Sequence, residues 1–382
     1  MAKGEYNMIK VGIVGARGFS VVGAMKAMPD EVKITAMCDL DEDCLNRAKE
    51  EIGLEESQCY RIYDDMLEKA DIDAVVISTP MQCHVPQAIL ALQAGKHVMC
   101  EVTAAVTMDE LWWLIENVEK SGKIYMYAEN YCYMPELQLV RAMVKKGMFG
   151  EIYYGEGEYT HDCTELRNWH GKTGWRTYWQ MGTRGAFYPT HSLGPVMQCF
   201  DDDRIVSISS FSPGNHNPYG LRNDDLTQTL CQLESGKLVK IRVDTISPRP
   251  HAMTYYQIQG TKGCYEAPRG LGDVAKVAVV TDDDPQGYTK WRPLSDFNDL
   301  LPDRYKTGAG EGAGHGAGDY YIVADFIHAI ETGVQPELNV YKAAEWTSVA
   351  LLSQLSVTNK GRTFEVPNFR ANMPWEEKRI TI

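Results

Sequence analysis

The strongest constraint on this chain is the alternation that runs through its first 130 residues. Short apolar, β-branched runs at 9–14, 33–38, 72–78, 97–101 and 124–129 are separated by amphipathic stretches at 23–28, 41–51, 85–94 and 108–121. Apolar runs with no polar alternation are strands covered on both faces, and the stretches between them are long enough for helical crossovers. The expectation is a parallel sheet with helices on both sides. Asp41 stands where the second helix needs a cap.

After about Tyr131 the period changes. A helix at 135–146 stops at Gly147, and longer alternating runs follow at 152–160, 205–210, 225–233, 237–245, 255–260 and 276–281. Alternation of this kind predicts a large, mostly antiparallel sheet with one open face. Two late helices are expected at 319–331 and 341–358, with a glycine-rich loop at 308–318. The fold class is therefore an α/β domain over 1–130 followed by an α+β domain over 131–382, lengths that each bury a core.

The segment from Val11 to Ser20 sits between the first strand and the first helix, and carries Gly12, Gly15 and Gly18. Glycines there let a backbone approach a pyrophosphate, and the helix start offers free N–H groups. This is the phosphate loop of a Rossmann domain, with Gly15, Arg17, Gly18 and Phe19 as candidate cofactor contacts. Arg17 and Ser20 occupy the second and third glycine places of GxGxxG, so a plain glycine turn is the competing reading. Asp39 ends the second strand, 24 residues after Gly15. A carboxylate there accepts from ribose hydroxyls and repels a 2′-phosphate, and no arginine directly follows it, which favours NAD over NADP. Its alternative role is a helix cap.

A net charge of −14 without a long basic run argues against nucleic acid or an anionic membrane as partner. No apolar run approaches the roughly 18–20 residues of a membrane span, and the first ten residues read as no export signal. Ten cysteines occur with no CxxC pair, which reads as reduced thiols in a cytoplasm. His161, Asp162 and His170 match no standard ligand spacing, so no metal is expected.

Ser78-Thr79-Pro80, His84 and the run Gly95-Lys96-His97-Val98-Met99-Cys100-Glu101, spaced as they are after a Rossmann start, resemble the Gfo/Idh/MocA family of NAD(P)-dependent sugar oxidoreductases. The resemblance spans nearly the whole chain. It implies that Thr79, His84, Glu101 and Asn130 line the cofactor near its ribose and nicotinamide. It also implies a homodimer or homotetramer formed through the open sheet. Two positions depart from the family pattern. Glu101-Val102-Thr103 replaces Glu-Lys-Pro, and Phe187 replaces the aspartate four residues before the catalytic histidine.

What stands there is Tyr188-Pro189-Thr190-His191, followed by Ser192-Leu193-Gly194-Pro195-Val196. This resembles a narrower branch, the NAD-dependent glycoside hydrolases related to bacterial α-N-acetylgalactosaminidase. Further segments at 146–151, 159–162, 175–177, 247–250, 259–263 and 315–320 fit the same branch in order.

The branch implies glycoside cleavage by transient oxidation at carbon 3, elimination, water addition and re-reduction, with NAD recycled. His191 would exchange the hydroxyl proton, since an imidazole does so near neutral pH. Tyr188 would take the carbon-2 proton. A tyrosine ordinarily titrates near ~10, so that role needs a neighbouring cation such as His191 or Arg176. The competing readings are an orienting hydroxyl for Tyr188 and a structural imidazole for His191. His161, Trp169, His170, Trp175, Arg176 and Trp179 form an aromatic and basic cluster that serves either as a sugar platform or as a packed loop. His161, Trp175 and Arg176 are the candidate substrate contacts within it. Tyr320 and His315, beside the glycine-rich loop, either close over substrate or simply start a helix. Two other functions compete: a simple NAD-dependent sugar or cyclitol dehydrogenase with His191 as base, and a non-catalytic NAD-sensing binding protein.

Overall fold

The protein was analysed as a computed structural model, which describes residues 8–15, 18–169, 171–250 and 252–371. These residues form two compact units. The first contains the described chain up to Tyr133 together with Gly308–Ala344, and the second contains Met134–Thr307 and Glu345–Ala371.

Strands β1 (Ile9–Val14), β2 (Val32–Cys38), β3 (Cys59–Tyr60), β4 (Ala74–Ile77), β5 (His97–Cys100) and β6 (Tyr125–Tyr127) build the first sheet. Their order is β3-β2-β1-β4-β5-β6, and every pairing is parallel. β4 and β6 are buried throughout, as a sheet covered on both faces requires. The crossovers are helical: α1 (Phe19–Lys26), α2 (Glu42–Ile52), α3 (Tyr63–Lys69), α4 (His84–Gln93) and α5 (Met108–Ser121). Asp41 caps α2 by accepting from the Asp43 amide. α5 starts with a reciprocal capping box between Thr107 and Glu110. The later helix Gly318–Thr332 packs on α1 within this unit.

In the second unit, α6 (Pro135–Lys145) precedes β7 (Ile152–Thr160). A small ribbon, β8 (Asn168–Trp169) with β9 (Lys172–Thr173), leads to α7 (Arg176–Trp179) and α8 (Thr190–Met197). The remaining strands are β10 (Ile205–Phe211), β11 (Thr227–Leu233), β12 (Leu238–Asp244), β13 (Ala252–Gly260), β14 (Gly263–Glu266), β15 (Lys276–Val279), β16 (Arg292–Pro293) and β17 (Phe364–Glu365). They form a nine-stranded sheet ordered β16-β15-β14-β13-β7-β12-β11-β10-β17. Its pairings are antiparallel except β7 with β12, which run parallel. The expected α/β unit and mostly antiparallel sheet are both present. Among the described residues no helix is long and apolar enough to cross a membrane.

His97 shows how the first sheet handles a polar side chain at its end. Its Nδ1 accepts from the Ile124 amide at 3.0 Å, which requires a neutral ring. Burial, and then the nearby Lys123 ammonium, push its pKa down to about 4. The folded value lies below the unfolded one of ~6.5, so the stability it contributes is present above pH ~6.5 and is lost as the pH falls towards 4. Replacing it by asparagine, which keeps an acceptor but does not titrate, is expected to flatten the fall in melting temperature over that window. Superimposable curves for the two proteins would contradict the assignment.

Candidate active site

The first unit supplies a dinucleotide cradle. Gly15 adopts φ +96°, and a Cβ there would lie 2.7 Å from the Ser78 carbonyl and the Thr79 nitrogen, so only glycine fits. A Cβ on Gly18 would overlap the Ile13 side chain. The chain thus turns tightly from β1 into α1, as a pyrophosphate site requires. Arg17 lies outside the described residues, and for Phe19 only the backbone, the first residue of α1, is described. Asp39 follows β2 and is half-buried; its Oδ1 accepts from the Asp41 amide at 2.9 Å. The α2 cap is Asp41 itself, so the Asp39 carboxylate belongs to the loop ahead of the helix.

His84 is buried with its Nε2 2.9 Å from the Thr79 carbonyl and its Nδ1 2.7 Å from the Thr103 carbonyl. It ties together the loops that follow β4 and β5. Burial pushes its pKa below the usual range, opposed by those two carbonyls. Thr79 Oγ1 donates to Gln87 Oε1 at 2.6 Å, and Glu101 is half-buried just beyond β5. Asn130 is buried; its Nδ2 donates to Asp319 Oδ1 at 2.7 Å, and Asp319 also holds His315 Nδ1 at 2.9 Å. Its Oδ1 is buried without a protein partner. A tight glycine turn, a carboxylate at the end of β2 and this amide oxygen together fit a dinucleotide.

The second unit carries Tyr188 and His191. The sequence reading places no helix over 190–197, a stretch that contains the poor helix formers Gly194 and Pro195. The structure forms α8 there, and two features explain it. First, α8 lies directly on β7. A Cβ on Gly157 would overlap the Ser192 carbonyl, and one on Gly155 would overlap Val196. Second, Pro195 has no N–H to offer the carbonyl four residues earlier, which is that of His191. Tyr256 on β13 fills the gap, its hydroxyl donating to His191 O at 2.6 Å. Side-chain chemistry thus replaces the missing helical bond at the residue of interest.

The segment entering α8 is also anchored. Asp224 pairs with Arg184 at 2.8 Å, and its Oδ2 accepts from the Gly185 amide at 2.8 Å. The Ala186 amide donates to Ser353 Oγ at 2.8 Å. Gly185 adopts φ +81° pressed against Ser353 and Gln354.

The result is a four-ring cluster. The Tyr188 and His191 rings meet edge to face with centroids 5.0 Å apart. Tyr159, at the end of β7, lies 5.1 Å from His191 and 5.6 Å from Tyr188. Its hydroxyl is 2.8 Å from His161 Nδ1. Tyr188 and His191 are each 7% exposed and so shielded from bulk water. Tyr159 touches each of the other three rings, which gathers two phenols and two imidazoles, groups able to exchange protons, in one cluster.

Tyr188 also lines a small cleft with Gln180, Phe187, Asn223, Val243 and Thr245. Arg176 stacks on Trp175 at 4.5 Å and donates through Nη1 to Gln180 Oε1. So the structure brings His161 into the ring cluster and places Arg176 and Trp175 behind the cleft. Tyr320 lies in the first unit, edge-on to Tyr321 at 5.2 Å. His170 lies outside the described residues, and of Trp169 only the backbone is described.

Comparison with known proteins agrees with this division. Residues 9–129 match the model of the oxidoreductase family with an NAD-binding Rossmann fold. Residues 133–376 match the glycosyl hydrolase 109 C-terminal domain. The chain belongs to glycosyl hydrolase family 109. An α-N-acetylgalactosaminidase of Shewanella oneidensis is 31% identical over 98% of this chain and 88% of that relative. Two solved structures share the fold. A levoglucosan dehydrogenase in complex with NADH superposes with TM-score 0.77 at 20% identity, covering 94% of this chain and 100% of that one. A scyllo-inositol dehydrogenase from Lactobacillus casei with bound NAD(H) and scyllo-inositol gives 0.71 at 19%, covering 94% and 99%. This family 109 chain is therefore an NAD-binding enzyme of Gfo/Idh/MocA type.

Sequence reasoning placed Tyr159 in a branch segment without giving it a role, and missed Tyr256, Gln180 and Asn223. The pattern Gly155-Glu156-Gly157 before Tyr159 was the available signal, since two glycines on one strand face mark a close backbone approach. Tyr256→Phe removes the hydroxyl that donates to the buried His191 carbonyl, a loss of about 0.5–1.5 kcal/mol. Adding Pro195→Ala to that variant restores a backbone N–H, and thermal unfolding is expected to show partial recovery. A double variant less stable than Tyr256→Phe alone would contradict this account.

Proposed function

We propose that the enzyme cleaves a glycoside by transient oxidation of its sugar. The observation that carries the reading is the contact between Tyr188 and His191, joined by Tyr159, in a chain whose other unit binds NAD. When bound, NAD supplies an acceptor that takes a hydride from carbon 3 and can return it. His191 takes the proton of the carbon-3 hydroxyl as that carbon becomes a ketone. The ketone acidifies the carbon-2 proton, and Tyr188 removes it. The electron pair left behind forms the carbon 1–carbon 2 double bond and expels the leaving group from carbon 1. Water then adds at carbon 1 and its spare proton goes to the departed leaving group, while Tyr188 returns a proton to carbon 2 and His191 returns one to the carbon-3 oxygen as the ketone is reduced. No pair of carboxylates is needed. The name of the Shewanella relative supports an N-acetylgalactosaminide as one substrate to try.

NAD rather than NADP fits the Asp39 carboxylate after β2. The ten free cysteines, seven of them buried, fit a reducing cytoplasm. Phe211 and Leu230 are exposed on adjacent strands of the open sheet face, which supports a homodimer or homotetramer. Sedimentation velocity distinguishes that assembly from a monomer.

The reading is tested on p-nitrophenyl α- and β-glycosides, following nitrophenol and NADH together. Nitrophenol release without net NADH is expected, and Tyr188→Phe should lower it by roughly 100-fold or more. Free sugars that yield stoichiometric NADH, with no glycoside cleaved, would leave a dehydrogenase instead.

A further inference from the structure

The cleft beside Tyr188 holds two buried polar atoms that nothing in the mechanism uses. Gln180 and Asn223 are each 3% exposed. Gln180 Oε1 accepts from the Arg176 guanidinium, which is a donor only. That contact settles the orientation of the amide, so its Nε2 is the group left without a partner. Asn223 Nδ2 donates to the Asp224 carbonyl at 3.3 Å and towards Thr245 Oγ1 at 3.4 Å. Its Oδ1 is therefore the atom left without a partner. One donor and one acceptor thus stand unsatisfied in a single cleft whose other walls include Phe187 and Val243.

Leaving both unpaired is costly in a buried setting. What satisfies them must accept one hydrogen bond and donate another. The cleft has room for about one water-sized group. A carboxylate only accepts and an ammonium only donates, and a phosphate outgrows the space. A secondary amide has the right balance, but its substituents outgrow the space. Water and a sugar hydroxyl both have the balance and the size, and the wall that the cleft shares with Tyr188 favours the sugar.

We propose that Gln180 and Asn223 form a hydroxyl-binding subsite next to Tyr188. In it, one sugar hydroxyl accepts from Gln180 Nε2 and donates to Asn223 Oδ1. The hydroxyl is not the reacting one at carbon 3, which His191 serves. The subsite sets which epimers the enzyme accepts, because an inverted or absent hydroxyl leaves both amides unpaired. Arg176 acts through Gln180, as the residue that orients its amide. The inference rests on the glycoside reading above.

The test measures kcat/KM for a p-nitrophenyl glycoside that the enzyme cleaves and for its 2-, 4- and 6-deoxy counterparts. Wild type, Gln180→Met and Asn223→Leu are compared, each loaded with NAD. On the parent glycoside both variants are expected to fall by roughly 10- to 100-fold. On one deoxy counterpart, the same for both variants, wild type and variants should converge. Gln180→Met removes the acceptor of Arg176 as well as the unpartnered donor, so Gln180→Glu, which keeps that acceptor and loses the donor, is expected to show the same loss should Gln180→Met fail to fold. Asn223→Asp keeps the acceptor and is expected to retain the preference should Asn223→Leu fail to fold. Equal losses on every deoxy substrate, or no loss on the parent, would overturn the subsite while leaving the glycoside reading intact. A wild type that turns over no glycoside but oxidises free sugars would overturn both.

Discussion

The site in the second unit depends on one close approach, that of α8 to the middle of β7. Without side chains at Gly155 and Gly157, the helix backbone rests on the strand backbone. That contact sets the depth of His191 and Tyr188 relative to Tyr159, which leaves the same strand on the same face two residues after Gly157. A side chain at Gly157 would have to displace the Ser192 carbonyl, and with it the turn that carries His191. Ring-to-ring distances near 5 Å leave little slack, so this close packing fixes where the rings of the cluster lie relative to one another.

Around that contact the backbone is held by side chains. Tyr256 takes the place of the proline's missing N–H, Asp224 holds Gly185 and Arg184, and Ser353 holds Ala186. These partners are buried and mostly far away in sequence. Tyr188 and His191 are themselves buried beside these anchors. Such an arrangement gives a rigid frame with a few polar atoms left for a ligand, which is the usual organisation of a small-molecule site. In the first unit the same logic appears in His84, whose two ring nitrogens bridge the loops after β4 and β5.

Much of the fold is legible in the sequence, because its signals are local. Apolar runs gave the parallel strands, and Asp41 and Gly147 marked helix boundaries that the structure keeps within a residue or two. Tyr188, His191 and His161 could be singled out by motif, and the structure places them together. Three things were not legible. The helix over Thr190–Met197 contains Gly194 and Pro195, and it forms where it packs on β7 and where Tyr256, 61 residues beyond Pro195, donates to the His191 carbonyl. The helix Gly318–Thr332 groups with the first unit through its packing on α1 and the Asn130–Asp319 bond, which chain order does not reveal. Gln180 and Asn223 stand out only when their hydrogen bonds are counted, since neither belongs to a motif of the site.

The central claim is that the carbon 2–hydrogen bond of the sugar breaks and re-forms during each turnover. Hydrolysis in heavy water tests it directly, with the released sugar analysed by NMR and mass spectrometry. The account predicts one deuterium at carbon 2 and retained protium at carbon 3, because Tyr188 exchanges with solvent while the hydride does not. Product that carries only protium at carbon 2 would contradict elimination and require direct displacement at carbon 1.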